Sequence, residues 1–176
     1  MRLFVAVTPP TSVLDHADAA VAPVRAEHPD LRWIPVERWH LTLAFYGEVP
    51  DEKLDGVTAM VTRMLQRAAV DRPFEVRFTG AGQFSRRALW IGLDADVSTL
   101  RRLAKAVITD RRPYRPHLTV ARLRGAVDAR PAVERLASYA GPAWRVDAVH
   151  LMRSHLGPKP RYETLASWPL PLTGDS

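Results

Sequence analysis

The chain has 176 residues, with 25 Lys+Arg against 19 Asp+Glu, six His and no Cys. At roughly 100–200 residues per domain this suits one domain, or two small lobes sharing a core. The absence of cysteine excludes a disulfide framework, a thiolate zinc site, an iron–sulfur cluster and a cysteine nucleophile.

The first residues, Met1 to Val7, carry five apolar side chains after Arg2. That is too short for the apolar region of a signal peptide. No later stretch approaches the 18 or so apolar residues of a membrane span. A cytoplasmic protein with no membrane partner is expected, and the missing cysteines suit that reducing compartment.

In chain order, Leu3 to Val7 is a short apolar run stopped by Thr8-Pro9-Pro10, which predicts a buried strand. Ser12 is placed to cap a helix to about Glu27, with Pro23 kinking or breaking it late. Leu31 to Pro35 reads as extended, and Trp39 to Tyr46 as a strand. Asp51 is a good N-cap for a second helix whose Leu54, Val57, Met60, Val61, Met64 and Leu65 share one face. Phe74 to Thr79 alternates like a strand, Gly80-Ala81-Gly82 predicts a turn, and Ala88 to Leu93 a further strand. A helix is expected over 97–107, a strand over 114–123 and a short helix over 131–139. Strands over 145–153 and 161–168 close the chain, with 169–176 as a flexible tail. No Pro/Gly/Ser linker separates two cores, so the fold class is α+β, with largely antiparallel sheets and helices outside.

The formal charge is +6, and 22 of the 25 basic residues are Arg. Arg presents a planar fork suited to phosphate, so a polyanion such as nucleic acid is favoured. An Arg-over-Lys bias beside many Ala and Pro is also what GC-rich coding DNA produces, so charge alone does not choose.

One pattern occurs twice. His40-Leu41-Thr42-Leu43-Ala44 and His117-Leu118-Thr119-Val120-Ala121 share the form His-Leu-Thr-apolar-Ala, 77 residues apart. On a strand His and Thr then share one face, and the intervening apolar residues point to a core. Half-chain spacing suggests two similar lobes facing across a cleft. The chemistry that fits is phosphoryl transfer by paired imidazoles, one as base on the entering oxygen and one as acid on the leaving oxygen. Imidazole titrates near neutral pH, and Thr hydroxyls donate to non-bridging phosphate oxygens. This needs no metal and no cofactor. A catalytic zinc would want a third ligand, and no His-x-x-x-His accompanies the pair. The other histidines, His16, His28, His150 and His155, carry no spacing signal and read as surface or structural.

With these motifs the chain resembles the 2H phosphoesterase superfamily, and within it the RNA 2′,3′-cyclic phosphodiesterases, also known as LigT-type 2′-5′ RNA ligases. The likeness runs through Arg2-Leu3-Phe4-Val5-Ala6-Val7, Arg32-Trp33, both motifs, Gly82-Gln83-Phe84, Leu89-Trp90-Ile91-Gly92-Leu93, Leu151 to Gly157 and Arg161-Tyr162. The resemblance implies a bilobal fold in which two antiparallel sheets line a central cleft. It implies His40 as proton donor to the leaving 3′-oxygen and His117 as the base that activates water. Thr42 and Thr119 would hold the phosphate, and the product would be a 2′-phosphate end. The implied partner is an RNA end with a 2′,3′-cyclic phosphate or a related nucleotide, with no obligate protein partner and a monomeric state. One departure is the short link from 108 to 113 before the second motif, where relatives carry a longer helix and loop. The substrate-side wall is expected to differ there.

Further residues are candidates for substrate binding. Arg115 and Arg122 flank the second motif, and rim charge is an equal reading for both. Arg122 has the parity opposite to His117, so it needs a bulge to reach phosphate. Arg86 and Arg87 would steer RNA phosphates from a loop. Of the aromatics Trp39, Phe45 and Tyr46, parity assigns Phe45 to the core and Tyr46 to the cleft, where it would stack a base. Three rival readings keep the same residues: 2′-5′ ligation, hydrolysis of another small cyclic phosphate or oligonucleotide, and an RNA-end-binding module without turnover.

Overall fold

The computed structural model describes residues 1–85, 87–109, 113–125 and 127–172. Its elements run β1 (Arg2–Val7), α1 (Thr11–Glu27), β2 (Arg32–Trp33), β3 (Leu41–Glu48), α2 (Leu54–Arg67), β4 (Phe74–Phe84), β5 (Ala88–Ala95) and α3 (Val97–Val107). They continue through β6 (Leu118–Arg122), α4 (Arg130–Leu136), β7 (Ala140–Val146), β8 (Ala148–His155) and β9 (Arg161–Pro169). Two antiparallel sheets result, ordered β3-β1-β8-β9 and β2-β6-β5-β4-β7. The α+β class expected from the alternation of strands and helices is the one observed.

Two segments trade places between the halves. β2, from the N-terminal half, edges the second sheet by pairing with β6. The β8–β9 hairpin, from the C-terminal end, completes the first sheet by pairing with β1. These exchanges tie the sheets together through one apolar core that includes Leu3, Val5 and Val7 from one and Leu118 and Val120 from the other. The helices bury regular stripes against it. In α3 the stripe is Leu100, Leu103, Ala104 and Val107, three to four residues apart as a helix face requires. Its start is set by Asp96, whose carboxylate accepts the Thr99 N–H at 3.1 Å, one of the donors that the first helical turn leaves free.

Several elements depart from the sequence reading. α1 starts at Thr11 without a side-chain cap, because the Pro10 carbonyl takes the Val13 and Leu14 N–H groups. It also continues past Pro23 to Glu27. A 3-10 turn at Asp51–Lys53 precedes α2, so Asp51 is not its cap. Gly80-Ala81-Gly82 lies inside β4, where the pairing with β5 shifts register between Thr79 and Ala81. Gly80, at φ +59°, supplies the left-handed residue of that bulge. The strand expected over 145–153 is two strands that meet at Asp147. Leu170 is buried, and the Leu172 N–H donates to the Val70 carbonyl at 2.9 Å. The chain is therefore held beyond Pro169, and 173–176 lie outside the described residues. No helix among the described residues is long and apolar enough to cross a membrane.

Candidate active site

Each motif enters its strand in the same way. His40 and His117 stand just before β3 and β6, and the Leu that follows is buried in both. The His40 ring is hydrogen-bonded through Nδ1 to the Arg38 carbonyl at 2.8 Å. The His117 ring is bonded through Nδ1 to the Arg115 carbonyl at 2.6 Å. A carbonyl oxygen only accepts, so both Nδ1 atoms carry the proton and donate. Nε2 is thereby left in each ring as the atom that can take or give a proton.

Both rings are also seated against paired aromatics. His40 lies 4.8 Å from the Phe4 ring and edge-on at 4.9 Å to Tyr162, which is itself edge-on to Phe4. His117 is edge-on to Phe84 at 4.7 Å and 6.4 Å from Trp90, which is tilted on Phe84. Phe4, Ala6 and Met152 form a small apolar cluster on the motif face of the first sheet, closed over by Tyr162. Sheet twist brings Tyr162, on the far strand, diagonally back toward His40. The Arg38 guanidinium stacks over the same tyrosine at 5.3 Å and donates to its hydroxyl at 3.3 Å.

Burial disfavours the charged form of an imidazole. It is the main reason that His40 is lowered from 6.5 to about 4. The Arg38 carbonyl opposes that shift, while the charges of Arg38, His117 and Arg122 add to it. His117 is lowered by burial too, against the Arg115 carbonyl and with the Arg122 charge. The two imidazoles and Arg122 are thus close enough to feel one another.

A cleft of about 810 Å³ runs between β3 and the second motif; His117 lines it, whereas His40 is not among its lining residues. Thr42 and Phe45 line it from β3, and His117, Thr119 and Arg122 from the β6 side. Arg115, Tyr114 and Pro113 form the wall that leads into the second motif, next to the short segment expected to differ.

A bulge in each motif strand decides which later residue enters the cleft. β3 shifts register against β1 between Val5, opposite Ala44, and Ala6, opposite Thr42. Leu43 is the extra residue. β6 shifts in the same way against β5, between Leu89, opposite Ala121, and Trp90, opposite Thr119, which leaves Val120 over. The extra residue resets the alternation. Leu43 with Ala44, and Val120 with Ala121, are consecutive buried pairs, and the next residue returns to the cleft face. That residue is Phe45 in β3 and Arg122 in β6.

The parity assignment of the β3 aromatics is therefore reversed. Phe45 is 52% exposed and lines the cleft. Tyr46 points to the core side, where its hydroxyl donates to the Val107 carbonyl at 2.9 Å. Burial there raises it to about 12. Trp39 is buried, with its Nε1 on the Ile34 carbonyl. Arg122 reaches the cleft through the bulge its parity required. Arg87 is exposed at the β4–β5 turn, outside the ring of residues that line the cleft. Arg86 lies outside the described residues.

Phe4, Arg38, Phe84, Trp90 and Tyr162 surround the histidines without having been singled out as site residues. Four of them, Phe4, Phe84, Trp90 and Tyr162, stand in segments that carry the family resemblance, but their grouping depends on sheet pairing. Among the described residues no three or more of His, Asp and Glu are gathered where they could hold a metal ion.

A family model described as the 2′-5′ RNA ligase superfamily matches residues 12–158. A protein of Geobacillus stearothermophilus named RNA 2′,3′-cyclic phosphodiesterase is 33% identical over 78% of this chain and 47% of its own length. A protein of the same name from Thermus thermophilus is 31% identical over 97% of this chain and 90% of its own. Among solved structures, E. coli LigT complexed with 3′-AMP superposes with a TM-score of 0.74 at 26% identity, covering 97% of this chain and 98% of that one.

Proposed function

The chain belongs to the 2′-5′ RNA ligase superfamily, and from that membership we propose that it hydrolyses RNA 2′,3′-cyclic phosphate ends to 2′-phosphomonoesters. The observation that carries this reading is the pair of imidazoles within electrostatic reach of one another, each with Nδ1 spent on a backbone carbonyl and Nε2 free.

The balanced step is short. A water oxygen bonds to phosphorus and its proton passes to Nε2 of His117. The bond from phosphorus to the 3′-oxygen breaks, and that oxygen takes a proton from Nε2 of His40. The products are a 3′-hydroxyl and a 2′-phosphate, and proton return through solvent resets the pair. Thr42 and Thr119, both on the cleft lining, donate to the non-bridging oxygens. Arg122 neutralises their charge, and the low polarity around the rings strengthens these contacts. An anionic phosphate in the cleft raises the His40 imidazole from its depressed free value, which makes it a competent acid once substrate is bound.

Substitution tests the assignment. His40→Ala and His117→Ala are each expected to lower turnover of a cyclic-phosphate RNA by at least 10²-fold, with circular dichroism unchanged. EDTA is expected to leave the rate unaltered. Full activity in both variants would remove the histidines from the chemistry.

A further inference from the structure

Arg122 does not stand alone on its face of the second sheet. β2 pairs with β6 so that Arg32 lies directly opposite Arg122, and Trp33 opposite Ala121. Trp33 faces inward, with its Nε1 on the His28 carbonyl, and Ala121 is buried. Arg32 therefore shares the cleft face with Arg122. Opposed residues in an antiparallel pair sit about 4.5–5.5 Å apart at Cα. Both arginines are exposed, and among the described residues neither makes an ion pair. The chain pairs other arginines readily: Arg77 with Asp94, Arg130 with Asp128 and Arg135 with Glu27.

Like charges directly opposite on a sheet cost stability. A bound anion reverses that cost, because two forks side by side match two phosphates. Arg122 lines the cleft with His117, and its charge acts on both imidazoles, so the first phosphate is the reacting one. Arg32 lies one strand further out, on the short edge strand and beyond the cleft lining. Ala88, small and buried, flanks Arg122 on its other side. The row of charge therefore runs outward from the reaction centre in one direction only.

We propose that Arg32 forms a second phosphate subsite, which takes the phosphodiester preceding the terminal nucleotide. The preceding phosphodiester, and not the terminal cyclic phosphate alone, would then set how tightly an RNA end is held. This rests on the hydrolytic reading only for which phosphate occupies the inner position.

The test compares wild type with Arg32→Ala on adenosine 2′,3′-cyclic monophosphate and on a short oligoribonucleotide ending in a 2′,3′-cyclic phosphate. The ratio of kcat/KM for the oligonucleotide to that for the mononucleotide is expected to fall about fivefold to tenfold, through KM. Arg32→Lys should keep part of the preference, as a point charge in place of a fork. Fluorescence anisotropy with an oligoribonucleotide carrying a 3′-phosphate gives a readout without turnover. Arg32→Ala should weaken its binding by a similar factor and lower the salt slope by about one. Thermal stability of the free variant should be equal or higher, since a repulsion is removed. An unchanged ratio with unchanged anisotropy overturns the subsite. Wild type inert on both cyclic phosphates would overturn the hydrolytic reading instead, and anisotropy would still decide Arg32.

Discussion

His40 and His117 each donate Nδ1–H to the carbonyl two residues upstream, at 2.8 and 2.6 Å, and each rests on two aromatic rings. The two settings differ in charge. His40 has the guanidinium of Arg38 beside it, and burial with that charge takes it down to about 4. His117 has no such neighbour among the causes of its shift other than Arg122. In the free protein this favours the neutral form of His40, the opposite of what its proposed role as acid requires, so the bound phosphate anion has to raise it before it can donate.

The pH dependence of the reaction should show this. The kcat/KM profile reports groups of the free enzyme, and the kcat profile those of the complex. Both imidazoles are depressed in the free protein, and a bound phosphate anion raises them. The kcat/KM optimum is therefore expected on the acid side of the kcat optimum. Coincident optima near pH 6.5 for both would show that neither ring is depressed.

Stability should fall on acidification through the same residue. The folded value of His40 is below its ordinary 6.5, so the unfolded chain binds more protons between pH 6.5 and 4. Stability then drops as pH falls through that window, by on the order of 3 kcal/mol in the limit of full expression. His40→Gln should flatten the profile there, as measured by denaturant unfolding at pH 7 and pH 4.5.

Arg122→Ala is expected to reduce kcat/KM by one to three orders of magnitude, and Arg122→Lys by less. It should also raise the apparent value of the basic group in the kcat/KM profile, because its charge helps to depress both imidazoles. A merely structural arginine would leave that profile in place.

Gly82 sits beneath the Trp90 indole, and a methyl group there would overlap the ring. Trp90 is packed on Phe84 and adjoins His117. Gly82→Ala should therefore push the indole toward the imidazole and lower kcat, with a change in tryptophan fluorescence and the fold retained. Gly56→Ala, where an added Cβ meets nothing within 4 Å, is the control and should stabilise α2 by up to about 1 kcal/mol.

Phe45→Ala should raise KM with little change in stability, since the ring lies exposed on the cleft. Tyr46→Phe should do the reverse. It loses a half-buried hydrogen bond to Val107, worth about 1 kcal/mol, while turnover stays near wild type.

The pairing of imidazole and hydroxyl in each motif was legible along the chain because it depends on local order. His-Leu-Thr-apolar-Ala in two copies assigns imidazole and hydroxyl to one face and the aliphatics to the other, and period-two alternation holds over those few residues in β3 and β6. The helix over 97–107 follows equally from local spacing. Beyond Thr42 and Thr119 the alternation breaks, since β6 carries one residue more, and β3 two more, than the partner strand accommodates. Pairing, not sequence, creates those bulges, and they exchange Tyr46 for Phe45 and admit Arg122. Strand order is likewise non-local. Only the docking of β9 two strands from β1 brings Tyr162 to His40, and only the edge pairing of β2 sets Arg32 against Arg122. A side chain's face is a property of its own strand, but its neighbours across a sheet are chosen by which strands find each other.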